Sequence, residues 1–92
     1  MHHIIRCERS GVFAGEIIER KGREVRIKNA RRLWYWSGAA SLSQLSQEGV
    51  TKPKDCKFPQ EVPEVLVLDA IEIIPMSDKA VASIAGVRPW QM

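Results

Sequence analysis

Apolar and polar residues alternate along the first third of the chain, and this pattern predicts three β-strands. The predicted strands span residues 2–7, 12–19 and 24–36, because successive side chains of a strand point to opposite faces. A turn at residues 9–11 separates the first two strands. The stretch Arg20-Lys21-Gly22 gives the clearest hairpin signal, since glycine supplies the positive φ of a tight turn. We therefore expect an antiparallel meander.

The third predicted strand does not alternate cleanly. Val25 and Ile27 share one face, and strict alternation continues that face through Asn29, Arg31, Leu33 and Tyr35. A β-bulge at Asn29-Ala30 would shift the register and place on that face Ala30, Arg32, Trp34 and Trp36. The sequence leaves both registers open.

A short helix follows this strand. Ser41 and Gln44 have the spacing of a capping box, which predicts a helix over roughly residues 41–48. Gly49 is typical of the residue that ends a helix. Residues 51–63 contain three prolines and are expected to form an extended loop over the core.

The last part of the chain predicts a buried strand and a second helix. Residues 64–74 are almost continuously apolar, which is typical of a strand that is covered on both faces and central in its sheet. Ser77 is a favourable N-cap for a helix that ends at Gly86. The expected fold is a single α+β domain over residues 1–92, with an antiparallel sheet of about four strands in the order β-β-β-α-β-α and two short helices.

Composition and charge narrow the class of protein. The 92 residues are 45% hydrophobic and 27% charged, as expected for one small globular domain. Residues 1–46 hold nine Lys or Arg against four Asp or Glu, whereas residues 47–92 hold five against seven. The basic half could attract an anionic partner, or its charge could be ordinary surface charge. No apolar run approaches the ~20 residues that span a bilayer, so we expect no membrane partner and a cytoplasmic or intravirion location.

The segment of residues 29–42 combines three kinds of ligand-binding group. Guanidinium groups pair with phosphate oxygens, aromatic faces stack on bases, and a small-residue turn that leads into a helix offers free N–H groups. The candidate ligand-binding residues are Arg31, Arg32, Trp34, Trp36, Ser37, Gly38 and Ser41. Each aromatic residue is also a candidate core residue, because tryptophan anchors small domains through its buried area.

Catalysis is not expected from this sequence. His2 and His3 lie next to the N-terminus, where chains fray. Asp69 and Glu72 are three positions apart on the predicted strand and hence on opposite faces, which argues against a carboxylate pair. Cys7 and Cys56 are far apart and are expected to be reduced thiols. We predict no catalytic residue, no metal site and no cofactor.

Three stretches carry a resemblance to a family of small uncharacterised phage and prophage proteins. They are residues 28–45, the stretch Cys56-Lys57-Phe58-Pro59, and residues 68–75. The layout is also similar to the phage Thoeris anti-defence sponges, small α+β proteins that assemble as dimers or hexamers. The resemblance implies a non-catalytic protein that sequesters a cyclic ADP-ribose signal or a cyclic oligonucleotide in the host cytoplasm. It assigns no binding residue in this chain.

Two function hypotheses follow. The first is a sponge for a cyclic nucleotide immune signal, and the second is a small basic phage module that binds nucleic acid or a host protein. A sponge needs nanomolar affinity, about 12 kcal/mol, which one or two stacks on an open surface barely reach. We therefore expect a homo-oligomer, most simply a two-fold dimer or a multiple of it, that encloses the ligand between chains.

Overall fold

The computed structural model describes residues 1–92, which form five strands and two α-helices. The strands are β1 (His2–Cys7), β2 (Val12–Lys21), β3 (Glu24–Arg32), β4 (Val62–Val67) and β5 (Ala70–Pro75). The helices are α1 (Leu42–Glu48) and α2 (Asp78–Ala85), and a 3-10 turn spans Pro53–Asp55. All strand pairs are antiparallel, in the order β4-β3-β2-β1-β5. The α+β class is confirmed, with five strands rather than about four.

The predicted meander and both helices are confirmed. Lys21 pairs with Glu24 across the β2–β3 turn, where Gly22 has a φ of 63°. The Ser41 hydroxyl caps α1 by accepting from the N–H of Gln44 at 3.1 Å. The Ser77 hydroxyl caps α2 in the same way through the N–H of Ala80, at 3.0 Å.

The prediction of one central strand over residues 64–74 is wrong. This stretch forms two strands, β4 and β5, which are interrupted at Leu68-Asp69 and lie at the two opposite edges of the sheet. Its apolar run is long because each strand buries one side in the core while the other carries exposed apolar residues. Leu66, Leu68 and Ile71 are 45%, 62% and 45% exposed.

The short link between the two edge strands forces the sheet to curl. Three Cα steps join Val67 to Ala70 and span at most about 11 Å. The edges of a flat five-stranded sheet would lie about 19 Å apart. The curl is fastened at this end, because the N–H of Ala70 donates to the carbonyl of Arg23 in the β2–β3 turn, at 3.0 Å. The sheet is therefore an incompletely closed barrel.

Two apolar clusters fill the two sides of the curled sheet. The cluster inside the curl contains Ile5, Cys7, Phe13, Val25, Ile27, Ala30, Val67 and Ala70. The cluster between the sheet and the helices contains Ile4, Ala14, Leu33, Leu45, Val50, Cys56, Phe58, Met76, Ala80, Ile84 and Val87. The proline-rich loop covers the second cluster as predicted, since it contributes the buried Cys56 and Phe58.

A β-bulge decides the register of β3. Lys28 lies opposite Glu16 and Arg31 lies opposite Ala14, so two residues of β3 face the single Gly15. The first of them, Asn29, has a φ of 51°. The register with the bulge is therefore correct at Ala30, because Ala30 lies with Val25 and Ile27 in the cluster inside the curl.

The third strand ends earlier than predicted. It stops at Arg32 rather than Trp36, and Tyr35 returns only as an isolated bridge to Lys57. Strict alternation no longer applies beyond Arg32, and Trp36 packs against the cluster on the helix side. The segment after β3 is thus free to line a surface instead of extending the sheet.

Candidate functional site

The end of β3 and the β1–β2 turn enclose an open groove of about 450 Å³. We call it the tryptophan groove, and it is lined by Arg9, Ser10, Gly11, Val12, Arg32, Leu33, Trp34 and Trp36. Three of the residues predicted from the sequence, Arg32, Trp34 and Trp36, are brought together here. Trp34 is 65% exposed, whereas Trp36 is half-buried. The groove therefore offers two indole rings and two guanidinium groups to solvent.

Asp69 holds the β1–β2 turn that forms one wall of this groove. Its carboxylate accepts from the backbone N–H of Arg9 at 2.6 Å and of Ser10 at 3.0 Å, and from the Ser10 hydroxyl. These donors, the Ser10 hydroxyl first, hold the pKa of Asp69 below its usual range. The turn is therefore built around a carboxylate that is negatively charged at neutral pH.

Arg32 connects the turn to the floor of the groove. Its guanidinium lies 4.3 Å from the centroid of the Phe13 ring and donates through Nη1 to the carbonyl of Ser10. Nε and Nη2 make no hydrogen bond within the chain. Arg32 is thus held in place by one contact on each side while two of its nitrogen atoms remain available for an anion.

Arg31 points to the other side of the sheet and does not reach the groove. It is 7% exposed, and its guanidinium donates to four backbone carbonyls, those of Phe58, Pro59, Ile84 and Val87. Burial lowers the pKa of Arg31. We therefore remove Arg31 from the candidate site: all of its nitrogen atoms fasten the loop and the end of α2 to the sheet.

The small-residue turn before α1 is also used by the fold. The Ser37 N–H donates to the sulfur of Cys56 at 3.5 Å, and the carbonyl of Gly38 accepts from the N–H of Thr51 at 3.3 Å. The Ser41 hydroxyl is occupied by the cap of α1. Ser37, Gly38 and Ser41 therefore lie outside the tryptophan groove and shape the chain beside it.

The remaining titratable groups take structural positions. Asp69 and Glu72 do not share one regular strand, contrary to the expectation from the sequence. Asp69 lies in the β4–β5 link, whereas Glu72 lies in β5 and forms an ion pair with Arg6 at 2.8 Å. His2 and His3 are not frayed: His3 lies opposite Gly15 of β2 and Pro75 of β5. No three His, Cys, Asp or Glu side chains form a group that could hold a metal ion. No helix is long and apolar enough to cross a membrane.

Both cysteines are free and buried. Burial, together with the charge of Asp69, raises the pKa of the Cys7 thiol to about 11. Since the thiolate is the nucleophilic form, this raised pKa keeps Cys7 mostly in the less reactive thiol form near neutral pH.

The candidate residues from the sequence leave out one wall of the groove, the β1–β2 turn, although the sequence contains a signal for it. In a meander, the turn between β1 and β2 lies at the same end of the sheet as the end of β3, and here Phe13 pairs with Arg32. The turn residues Arg9, Ser10 and Gly11 could therefore have been placed beside Arg32 from the predicted strand order alone. The role of Asp69 had no such signal, because it depends on the closure of the curled sheet.

The fold and this groove together define a small α+β protein with a curled antiparallel sheet and an open surface of arginine and tryptophan. The chain belongs to the family described as Domain of unknown function (DUF6948), whose model matches residues 1–84. No curated protein and no solved structure matches the chain.

Proposed function

We propose that this protein is a phage-encoded, non-catalytic sponge that binds a cyclic nucleotide immune signal, of the cyclic ADP-ribose or cyclic oligonucleotide type, in the host cytoplasm. The observation that carries the proposal is the tryptophan groove, where Arg9 and Arg32 lie beside Trp34 and Trp36. Phosphate oxygens suit the guanidinium groups, and the bases suit the indole faces.

The chemistry of the lining supports binding without turnover. The groove residues include no His, Cys, Asp or Glu that could act as a general base. The one hydroxyl, that of Ser10, donates to Asp69. The low pKa of Asp69 makes this carboxylate a weak base for activating the serine.

The high ligand affinity that a sponge needs supports a homo-oligomer, either a dimer or a hexamer. Two stacks at ~1–3 kcal/mol each and a few charge-assisted hydrogen bonds at ~1.5–3 kcal/mol each barely reach 12 kcal/mol before ordering costs. The groove is open, so a second chain would supply the missing contacts. The exposed apolar residues of the free edges, Leu66, Leu68 and Ile71, offer surface for such an association.

The test is depletion of a panel of cyclic nucleotides, which includes cyclic ADP-ribose isomers and cyclic di- and trinucleotides, by the purified protein. We expect one member to disappear from solution and to return unchanged when heat unfolds the protein. Arg32→Ala and Trp34→Ala should each weaken this binding at least tenfold, whereas Lys79→Gln, at an exposed position on α2, should not.

Two results would contradict the proposal. Recovery of a linearised or hydrolysed product would make the protein an enzyme. Absence of depletion for every member, with salt-sensitive retention of nucleic acid at the groove, would favour the alternative of a basic module that binds nucleic acid or a host protein. Binding through several phosphates weakens steeply with salt, which separates the two readings.

A further inference from the structure

A second aromatic and cationic surface, which shares no residue with the tryptophan groove, lies around Trp90. The indole of Trp90 is 48% exposed, and the Lys57 ammonium lies 5.6 Å from its ring centroid. The backbone N–H of Trp90 donates to the carbonyl of Phe58 at 2.9 Å, which holds the main chain of Trp90 beside the proline-rich loop. The main chain of Trp90 is thus anchored while its side chain faces solvent.

Tyr35 extends this surface, because it is paired with Lys57 through the backbone. The backbones of Tyr35 and Lys57 exchange two hydrogen bonds, Tyr35 N–H to the Lys57 carbonyl at 3.2 Å and Lys57 N–H to the Tyr35 carbonyl at 2.7 Å. Directly opposed residues of an antiparallel pair project their side chains to the same face. Tyr35 is 52% exposed. Lys57 therefore neighbours two exposed aromatic residues, Trp90 through its ammonium and Tyr35 through the backbone bridge.

Two further cations line the adjoining cavity. This cavity has a volume of about 470 Å³ and is lined by Pro53, Lys54, Cys56, Gly86, Arg88, Pro89 and Trp90. Lys54, Lys57 and Arg88 are exposed and form no ion pair, since every ion pair of the chain involves other residues. The loop that carries Lys54 and Lys57 contains two carboxylates, Asp55 and Glu61, and neither lines this cavity. The surface is therefore positive and accessible.

From this arrangement we propose that the surface formed by Tyr35, Lys54, Lys57, Arg88 and Trp90 binds single-stranded nucleic acid. Exposed aromatic faces stack only on unpaired bases, and unpaired cations beside them follow the phosphates of the strand. A protein partner would require an apolar centre with few charges, whereas three of these five residues are cations.

The experiment measures the anisotropy of a fluorescein-labelled oligo(dT) of about 12 nucleotides as the protein is added. Trp90→Ala should weaken binding about tenfold, equal to about 1.4 kcal/mol, and Trp90→Phe should retain most of the affinity. The double variant Lys54→Gln, Arg88→Gln should lower the slope of log affinity against log salt by about 1.4, at ~0.7 per phosphate contact. Lys79→Gln, the matched control, should change neither.

Three results would overturn this proposal. They are no binding of oligo(dT) at about 50 mM salt, binding that neither the Trp90 variants nor the double variant changes, and binding of phosphatidylserine vesicles in place of oligo(dT). If Trp90→Ala unfolds, Trp90→Phe and the double variant still decide the question. The surface shares no lining residue with the tryptophan groove, so Trp90→Ala should leave cyclic nucleotide depletion unchanged and Arg32→Ala should leave oligo(dT) binding unchanged.

Discussion

The carboxylate of Asp69 accepts a hydrogen bond from the hydroxyl of Ser10, although the two residues are 59 positions apart in the chain. Asp69 lies in the two-residue link between β4 and β5, and Ser10 lies in the turn between β1 and β2. The closure of the curled sheet and the shape of the tryptophan groove are therefore fastened by the same side chain.

Asp69 should make the stability of the protein dependent on acid. Because the folded pKa of Asp69 lies below its unfolded value of about 3.9, the contribution is complete above pH ~4 and is lost as pH falls through the folded pKa. Urea unfolding of the wild type and of Asp69→Asn between pH ~5 and ~2 tests this. The fall in the free energy of unfolding should be smaller for Asp69→Asn, and equal falls would contradict the assignment.

Arg31 and Arg32 should differ sharply when each is replaced by alanine. Arg31→Ala leaves buried carbonyls without a hydrogen-bond donor. Each such carbonyl that water does not reach costs ~1–3 kcal/mol, so we expect the free energy of unfolding to fall by about 3 kcal/mol or more. This equals a fall in Tm of more than about 10 °C for a domain of this size. Arg32→Ala should cost about 1 kcal/mol, since it loses one exposed cation–π contact and one hydrogen bond. Thermal unfolding measures both, and similar Tm values would refute the distinction.

Gly49 should not tolerate a side chain, in contrast to Gly22. Both have positive φ, 77° and 63°. A Cβ at Gly49 would lie 2.3 Å from the Ser83 side chain, which bonds the N–H of Val50 and joins α2 to the end of α1, whereas a Cβ at Gly22 meets nothing within 4 Å. We expect Gly22→Ala to cost about 1 kcal/mol, from backbone strain alone, and Gly49→Ala distinctly more. Chemical denaturation of the two variants gives the comparison, and equal losses would show that the Ser83 contact is unimportant.

Cys7 should resist alkylation in the folded protein. In a Cys56→Ser variant, iodoacetamide should label Cys7 slowly at pH 8, because a pKa of about 11 leaves little thiolate, and rapidly once urea unfolds the chain. The raised folded pKa of Cys7 also makes the free energy of unfolding depend on pH. The contribution of the protonated Cys7 thiol to stability is complete below the unfolded pKa of about 8.5 and is lost as pH rises towards 11. Fast labelling of the folded variant at pH 8 would contradict the raised pKa.

The free edges of the sheet should mediate association. Light scattering at micromolar concentration should give the mass of a dimer or of a larger oligomer of the 10.4 kDa chain. Leu66→Lys with Leu68→Glu places charges on the exposed edge and should restore the monomer without unfolding it, because neither leucine is in the core. A wild-type monomer would remove the support for an enclosed ligand site.

Local signals predicted most of the elements but not their arrangement. The caps at Ser41 and Ser77 and the turn at Gly22 depend on neighbouring residues, so they could be located from the sequence. The separation of β4 from β5 could not, because an apolar run that is interrupted at Leu68-Asp69 looks like one buried strand until the closure of the sheet is known.

The candidate site was predicted in part for the same reason. Arg32, Trp34 and Trp36 follow one another along the chain, and the structure keeps them in one groove. Arg31 was misassigned because residue type alone does not distinguish an arginine that binds a ligand from one that binds carbonyls. Only the register set by the bulge at Asn29 turns Arg31 towards the helices.

The pairing of the first strand with the last has a consequence for synthesis in the cell. His3 of β1 lies opposite Pro75 of β5, so this ladder cannot form until most of the chain has left the ribosome. Between the end of β3 at Arg32 and the start of β5 at Ala70, translation takes roughly 2–8 s. During that time β1 has an unpaired edge beside Ile4 and Ile5, which are fully buried in the finished protein. A nascent chain that stalls in this interval exposes a meander with an unpaired apolar edge, which is the kind of surface that favours aggregation.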